Sequence, residues 1–375
     1  MATNIIEVNS RSELKEWVRF PIRFYRGDDR YVPQIIRDEL DFFSFDRNPS
    51  FKIADTKLVL AQQNNKTVGR VCGMIHRLEA EKIGHKRGRF GWFECIDDVE
   101  AAGALLDYLE TWFMREGCRE MTGPHGFSDL DPEGLLIDGF DALPTIAGSY
   151  NPAYYRRLLK AFGLEKEVDY IEHRIKFPKD ASLFRRLEKK AAAVEKEGYR
   201  ALKFDKKKEI YPYMDQFWEV LEISFEHLFG TTPLSNEQKT YYTEKYFGFI
   251  DPSLLQIVVD RHERVKGLFL GLPSLSRAFQ KANGRLFPFG FLHILWAFKK
   301  FDTVDFYLAG IHPEANFRKI FPLLVLGMYR VLRQKNVRFV ETNHELENNT
   351  TLTRIWTKFT VLNQRRTRIY RKQLC

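Results

Sequence analysis

The sequence predicts an α/β protein of the α+β kind, with two similar domains in tandem, each a mixed central β-sheet flanked by helices. Three observations carry that expectation. The chain has 375 residues, more than one compact core usually supports. Two hairpin patterns, "KLVLAQQNNKTVGRVCGMIH" and "LLQIVVDRHERVKGLFLGLP", recur with Gly69 and Gly267 198 positions apart. Two short amphipathic helix patterns, "NPAYYRRLLKAFG" and "NNTTLTRIWTKFT", recur in the same order with Phe162 and Phe359 197 positions apart.

Each half reads as a hairpin followed by strand, helix, strand, helix and final strand. In the first half the hairpin turns at Asn64 and Asn65, and "GRFGWFEC" continues as a strand packed on a core. "DDVEAAGALLDYLETWFMREG" sets Leu105, Leu109, Trp112 and Phe113 at helical spacing, with Gly117 as its stop. "CREMTG" and "YIEHRIKF" are the later strands. In the second half the hairpin turns at Asp260 to Glu263, "DFYLAGI" is a strand, and "FPLLVLGMYRVLRQKN" is a helix. Pro322 suits that helix in its first turn, where a missing N–H costs little. "VRFVETN" and "RTRIYRKQ" follow as strands. The expected division is residues 1–181, a polar linking helix at 182–197 ended by Gly198, and residues 198–375.

Composition narrows the function. Hydrophobic residues at 44% and charged residues at 29% describe a folded globular chain. Four scattered cysteines, with no C-x-x-C, suit a reducing compartment and point to neither a disulfide framework nor a metal site. The opening residues lack a basic and then apolar leader, and no apolar run approaches the roughly 18 residues of a spanning helix, so a cytoplasmic protein without a membrane span is expected. The net charge of +9 comes partly from the tail, with Lys358, Arg365, Arg366, Arg368, Arg371 and Lys372. It is read chiefly as solvated surface, then as attraction for an anionic ligand. No nucleic-acid module accompanies it, so nucleic acid is not an expected partner.

The order of "TKLVLAQQNNKTVGRV", "RFGWFECIDD", "YRRLLKAFGLEKEVDY", "VKGLFLGLP", "FYLAGIHPEANFRK" and "VETNHELENNTTLTRIWTKF" resembles a tandem pair of GCN5-related N-acetyltransferase (GNAT) folds, of a poorly characterised bacterial group. The resemblance covers most of the chain, the first copy being the degenerate one. It implies transfer of an acyl group, acetyl or larger, from acetyl-CoA or another acyl-CoA to the amine of a small molecule or peptide. It also implies a cofactor cradle at Ala309, Gly310 and Ile311 and the turn after them, with Arg318 and Lys319 beside the phosphates and Asn349 at the next helix start. Exposed N–H groups at a helix start favour such an anion. The sequence departs from the family in two places. "EANFRKIF" lacks the small residues of the usual pyrophosphate turn, and Trp356 stands seven residues after Asn349, where a proton-donating Tyr is usual. In the first copy Glu94, Asp97, Asp98 and Glu100 oppose phosphate.

Amide formation needs a group to take a proton from the amine. In "ETNHELENN", Glu341 is the first candidate for base or amine-orienting carboxylate and His344 the second, since both lie near a strand end. Each also has a structural reading, Glu341 in a salt bridge, His344 on a loop backbone and Asn349 as a cap. In the first half His125, Asp129 and Asp131 are read chiefly as parts of a structural loop, with convergence on Tyr150 around a polar ligand, in a substrate wall or interdomain contact, as the alternative. A noncatalytic binding or assembly protein that keeps the double fold is the competing expectation.

Overall fold

A computed structural model describes residues 2–178, 182–248 and 250–374, the side chains of residues 183 and 351–353 excepted. Residue 181, where the first domain is expected to end, and Cys375 lie outside the described residues. The first half runs β1 (Asn4–Glu7), α1 (Arg11–Phe24), α2 (Ile36–Phe42), α3 (Ser50–Ile53), β2 (Ala54–Gln63), β3 (Lys66–His76), α4 (Arg77–Ile83), β4 (Gly88–Cys95), α5 (Val99–Arg115), β5 (Glu120–Gly123), β6 (Leu135–Asp138), α6 (Tyr155–Ala161) and β7 (Glu165–Lys176). Then come α7 (Ser182–Lys196), β8 (Arg200–Leu202), α8 (Met214–Phe225), α9 (Asn236–Phe247), β9 (Leu255–Val259), β10 (Val265–Pro273), α10 (Ser276–Ala282), α11 (Gly290–Lys299), β11 (Thr303–Ile311), α12 (Phe317–Gln334), β12 (Phe339–Thr342), β13 (Glu345–Leu346), α13 (Thr350–Trp356) and β14 (Thr360–Gln373).

The β2–β3 turn has Asn64 and Asn65 both at positive φ, the backbone that a two-residue hairpin of matching twist requires and that Asn tolerates. Helix α5 presents Leu105, Leu109 and Phe113 to the sheet, and α12 presents Ile320, Leu324 and Met328. The repeated glycines are the seats of these two helices. A Cβ on Gly69 would stand 2.8 Å from a Leu105 methyl, and one on Gly267 2.5 Å from an Ile320 methyl. Their common spacing therefore records one packing geometry used twice.

One difference from expectation concerns Pro322. Asn316 caps α12, its side chain accepting from the Arg318 N–H at 2.9 Å, so the helix starts at Phe317. Pro322 falls in the second turn rather than the first. The apolar stripe beginning at Ile320 extends the helix toward its N-terminus and outweighs the lost hydrogen bond.

All strands join one sheet in the order β1-β2-β3-β4-β5-β14-β7-β12-β11-β10-β9-β8, with β13 added on β7 and β6 on β14. The pairs β4/β5 and β11/β12 are parallel, and the others are antiparallel. The middle of this order shows an exchange. Strand β14, at the end of the second half, pairs with β5 of the first, while β7, at the end of the first half, pairs with β12 of the second. The two exchanged strands pair with each other from Thr360↔Lys176 to Arg371↔Glu165.

Candidate active site

The site is built where the exchanged strands meet the second half's parallel pair. Strands β11 and β12 pair from Thr303↔Phe339 to Phe306↔Thr342 and then part. Beyond that point Asn343 Nδ2 reaches back to the Tyr307 carbonyl at 3.2 Å, and Ala309 is exposed. The first half is closed at the corresponding place. The Tyr155 hydroxyl accepts from the Cys95 N–H at 2.8 Å and donates to Glu94 at 2.9 Å, while the Tyr154 hydroxyl donates to the Cys95 carbonyl at 2.7 Å. Two tyrosines thus occupy the main-chain groups at the end of β4, and Tyr155 is completely buried.

A row of charged groups crosses four adjacent strands at the opening of the second half. Asp305 on β11 is the register partner of Glu341 on β12, which is opposite Arg174 on β7. Two residues along β7, on the same face, Glu172 is opposite Arg365 on β14. Arg174 Nη1 lies 2.7 Å from Glu341, and Arg365 Nη1 lies 2.5 Å from Glu172. The other Glu172 oxygen is 2.9 Å from His344 Nε2. Neither half could assemble this row alone.

Burial and neighbouring charge set the protonation of these groups. Glu172 is buried, which opposes its ionisation, yet Arg365 and His344 hold it down at about 2. Burial also opposes charge on His344, and Glu172 more than offsets it, so the imidazole titrates above its usual range. Burial pushes Glu341 up to about 7, against the pull of Arg174 and with the help of Glu172. Burial and then the Glu341 charge push Asp305 well above the carboxylate range. Glu345, on β13, is pushed up to about 7 by burial and receives the Trp356 indole N–H at 2.8 Å. Trp356 therefore serves a carboxylate as a donor.

A crevice at the foot of the opening is lined by Asp305, Tyr307, Asn343 and, from the first half, Thr145 to Ala147. It is too narrow to hold water in this conformation. Three of its residues bring buried polar atoms without a hydrogen-bonding partner: the Thr145 hydroxyl, the Asn343 side-chain oxygen and both Asp305 oxygens, with the Ser274 hydroxyl close to the last. Leaving such groups unpaired costs about 1–3 kcal/mol each, so the arrangement favours a donor-bearing ligand.

The expected residues separate into groups. Glu341 and His344 are brought into the charged row. Ala309, Gly310 and Ile311 lie on β11 beyond the pairing with β12, and Gly310 makes room for Ser224 of α8, whose hydroxyl donates to the Ile311 carbonyl at 3.1 Å. Arg318 is exposed in the first turn of α12. Lys319 is ion-paired with Glu197 and lines a separate polar depression with Tyr199 and His262. The Asn349 N–H donates to the Leu346 carbonyl at 2.9 Å just before α13.

One alternative and one expectation are corrected. Tyr150 does not converge with His125, Asp129 and Asp131: its hydroxyl donates to Asp28 at 2.6 Å, while the loop carrying those three residues is buried against the second half, in keeping with the structural reading. Arg89 fixes that loop, bonding Glu79, the Gly126 carbonyl and, at 2.8 Å, the Gly230 carbonyl. The tail arginines are not simply solvated surface. Arg365 is buried on Glu172, and Arg366 and Arg368 pair with Asp169. Strand exchange places the basic tail beside acids of β7, which composition does not encode. Sequence reading also missed Glu172, Arg174, Asp305 and Thr145. The alternating charges in "YIEHRIKF" were the available signal for Glu172 and Arg174, and Asp305 and Thr145 had none of that kind. Among the described residues no group of three His, Cys, Asp or Glu side chains is arranged to hold a metal.

No protein-family model matches the chain. Protein YghO of Escherichia coli is 24% identical over 371 residues, covering 97% of this chain and 94% of that protein. Bacterial ceramide synthase of Caulobacter vibrioides is 24% identical over 300 residues, covering 79% and 76%. Among solved structures, a tandem GNAT protein from the clavulanic acid biosynthesis pathway superposes with a TM-score of 0.57 at 11% identity, covering 100% of this chain and 99% of the other. A GCN5-related N-acetyltransferase from Sphaerobacter thermophilus gives 0.53 at 13% identity, covering 99% and 96%. With its paired hairpins, its two parallel strand pairs and these full-length superpositions, the chain has the tandem fold of the GCN5-related N-acetyltransferases.

Proposed function

We propose that the protein is an acyl-CoA-dependent N-acyltransferase whose site lies in the second half, at the parting of β11 and β12. The observation that carries this reading is the pair of unpartnered polar atoms of Thr145 and Asn343, beside the buried Asp305 carboxyl, around one crevice. The Asn343 oxygen is an acceptor awaiting a donor, and an amine supplies one. The exposed edge at Ala309 fits the amide-bearing arm of the donor, with Arg318 available to its phosphates. Asn316, in contrast, already uses one N–H of the helix start.

Acyl-CoA, when bound, supplies an activated thioester carbonyl. Glu341, titrating near neutrality, takes the proton from the attacking amine. His344, kept protonated by Glu172, gives a proton to the departing thiolate, the task for which Trp356 is unsuited. The C–N bond forms as the C–S bond breaks, and one proton enters the thiol as one leaves the amine. Admission of the amine requires the Thr145–Ala147 segment to move, because the crevice is closed.

The acceptor is a small-molecule or peptide amine, and nucleic acid is not part of this reading. The likeness to a ceramide synthase supports amide formation and favours a long-chain partner over acetyl. The compartment is the cytoplasm, supported by the unpaired, buried Cys72, Cys95 and Cys118.

The test is to incubate the protein with acyl-CoAs of graded chain length and a panel of amines, following free thiol and amide mass together. Amide formation that disappears in Glu341→Gln and His344→Ala supports the reading. Absence of turnover and of thermal stabilisation by any acyl-CoA sinks it. That outcome favours a noncatalytic assembly role, to which the closed crevice and the buried ion pairs also lend themselves.

A further inference from the structure

Residues 274–302 link β10 to β11 through α10 and α11, where the first half links β3 to β4 with residues 77–87 alone. Helix α10 is tied to the first half. The Ser276 hydroxyl donates to the Pro144 carbonyl at 2.7 Å, Gln280 donates to the Asp29 carbonyl at 2.6 Å, and the Gly284 carbonyl accepts from the Ile36 N–H at 2.9 Å. Among the described residues, helix α11 makes no side-chain hydrogen bond to the first half. Its sequence "GFLHILWAFK" is almost wholly apolar, yet only Gly290 is buried. Phe287 is 71% exposed, Phe289 68%, Leu292 48%, Leu295 53% and Trp296 60%.

Singly exposed apolar residues are ordinary on protein surfaces, whereas a contiguous patch of large ones marks an interaction surface. The charges around this patch specify what covers it. Between Glu263 and Asp302 the sequence has no acidic residue. Arg277, Lys281, Arg285, Lys299 and Lys300 are all exposed, and none ion-pairs with a described residue. The nearest acids in sequence and packing are already engaged, Asp302 with Arg338 and Asp28 and Asp29 with Arg30. Trp296 and the lysines at one end of the helix give the mixture of aromatic and cationic groups suited to a headgroup boundary, with Lys300 Nζ 5.6 Å from the Trp296 ring centre. At ten residues α11 is only about 15 Å long, half the hydrocarbon thickness of a bilayer, and no helix among the described residues is long and apolar enough to cross a membrane.

We infer that α11 and the Phe287–Phe289 turn before it form a peripheral docking surface for an anionic lipid bilayer. The apolar side chains enter the interface, and the five surrounding cations lie against the headgroups. Helix α10, which precedes the patch, is tied beside the candidate site, because the Ser276 bond to Pro144 is one residue from the Thr145–Ala147 lining of the crevice. Docking does not depend on the transferase reading and is measured without it.

The experiment is cosedimentation of the full chain with vesicles of phosphatidylglycerol and phosphatidylcholine, against phosphatidylcholine alone, at low and high salt. The expected result is binding to the anionic vesicles that salt weakens. Leu292→Glu with Trp296→Glu lowers partitioning by about tenfold or more. Lys299→Glu with Lys300→Glu lowers it by about tenfold at low salt. Both pairs are exposed, and circular dichroism with a melting curve confirms that the variants are folded. Two results overturn the inference: wild-type protein that stays in the supernatant with both vesicles, or a dimer seen in ultracentrifugation that Leu292→Glu with Trp296→Glu dissociates while wild type ignores vesicles. The second would assign the patch to another copy of the chain.

Discussion

His344 Nε2 and Glu172 Oε1 are 2.9 Å apart, although the two residues belong to different halves of a duplicated chain. Glu172 reaches His344 because β7 leaves its own half to pair with β12 and β13. The same carboxylate receives Arg365 from β14 on its other oxygen. One buried anion thus holds together a histidine, an arginine and two exchanged strands.

Glu172→Leu leaves Arg365 and His344 buried without their anion. Unpaired buried charge of this kind costs about 3–5 kcal/mol. Urea unfolding of the variant should show a midpoint far below wild type, with both halves affected together. A midpoint within experimental error of wild type would show that the cluster contributes no net stability.

The pH profile of stability separates Glu172 from Glu341. Glu172 ionises at about 2 in the folded protein against an ordinary 4.5, so its contribution is present above 4.5 and disappears as pH falls toward 2. Glu341 titrates at about 7, so it binds its proton more tightly when folded; its contribution is present below 4.5 and is lost as pH rises to 7. Between those limits wild type loses up to roughly 1.4 kcal/mol per pH unit for one such group. Urea midpoints measured from pH 5 to pH 7.5 should fall for wild type and fall less steeply for Glu341→Gln.

Activity should follow the acid and base assignments. The rate at low substrate rises with pH as Glu341 loses its proton near 7 and falls as His344, held above the ordinary imidazole value by Glu172, loses its own. His344→Ala should lower kcat by about 10²–10⁴ with little change in the KM for acyl-CoA. A variant with unchanged kcat and a raised KM would move His344 from proton transfer to binding.

The two parallel pairs invite opposite substitutions. Ala309→Trp, at an exposed edge of β11, should raise the KM for acyl-CoA at least about tenfold while the melting temperature stays close to wild type. Tyr155→Phe, in the closed half, should leave kinetics unchanged and cost about 1–3 kcal/mol, because the Cys95 N–H and Glu94 lose a buried partner. Kinetics and urea unfolding on both proteins decide whether the donor site belongs to the second half.

The local elements were legible because their signals are local. Asn64–Asn65 marks a turn, Leu105 to Phe113 marks a helix face, and Gly69 with Gly267 marks a repeat whose cause is the seating of a helix. Glu341 and His344 were legible as candidates because a polar cluster followed an apolar strand. Which strand lies beside which is a non-local fact. Nothing in "QRRTRIYRKQ" tells that Arg365 will meet Glu172, and nothing in "NPAYY" tells that Tyr155 will cap Cys95. Half of the charged row was therefore hidden, together with the closure of the first half.

The exchange of β7 and β14 also sets an order of assembly on the ribosome. Residues 120–123 emerge early, yet the strand that completes their far side spans 360–373. The early half must wait, with an open sheet margin, until nearly the whole chain has been synthesised. Cutting at the linking helix and expressing the pieces separately would leave each without a strand, so this duplication has become an obligate unit.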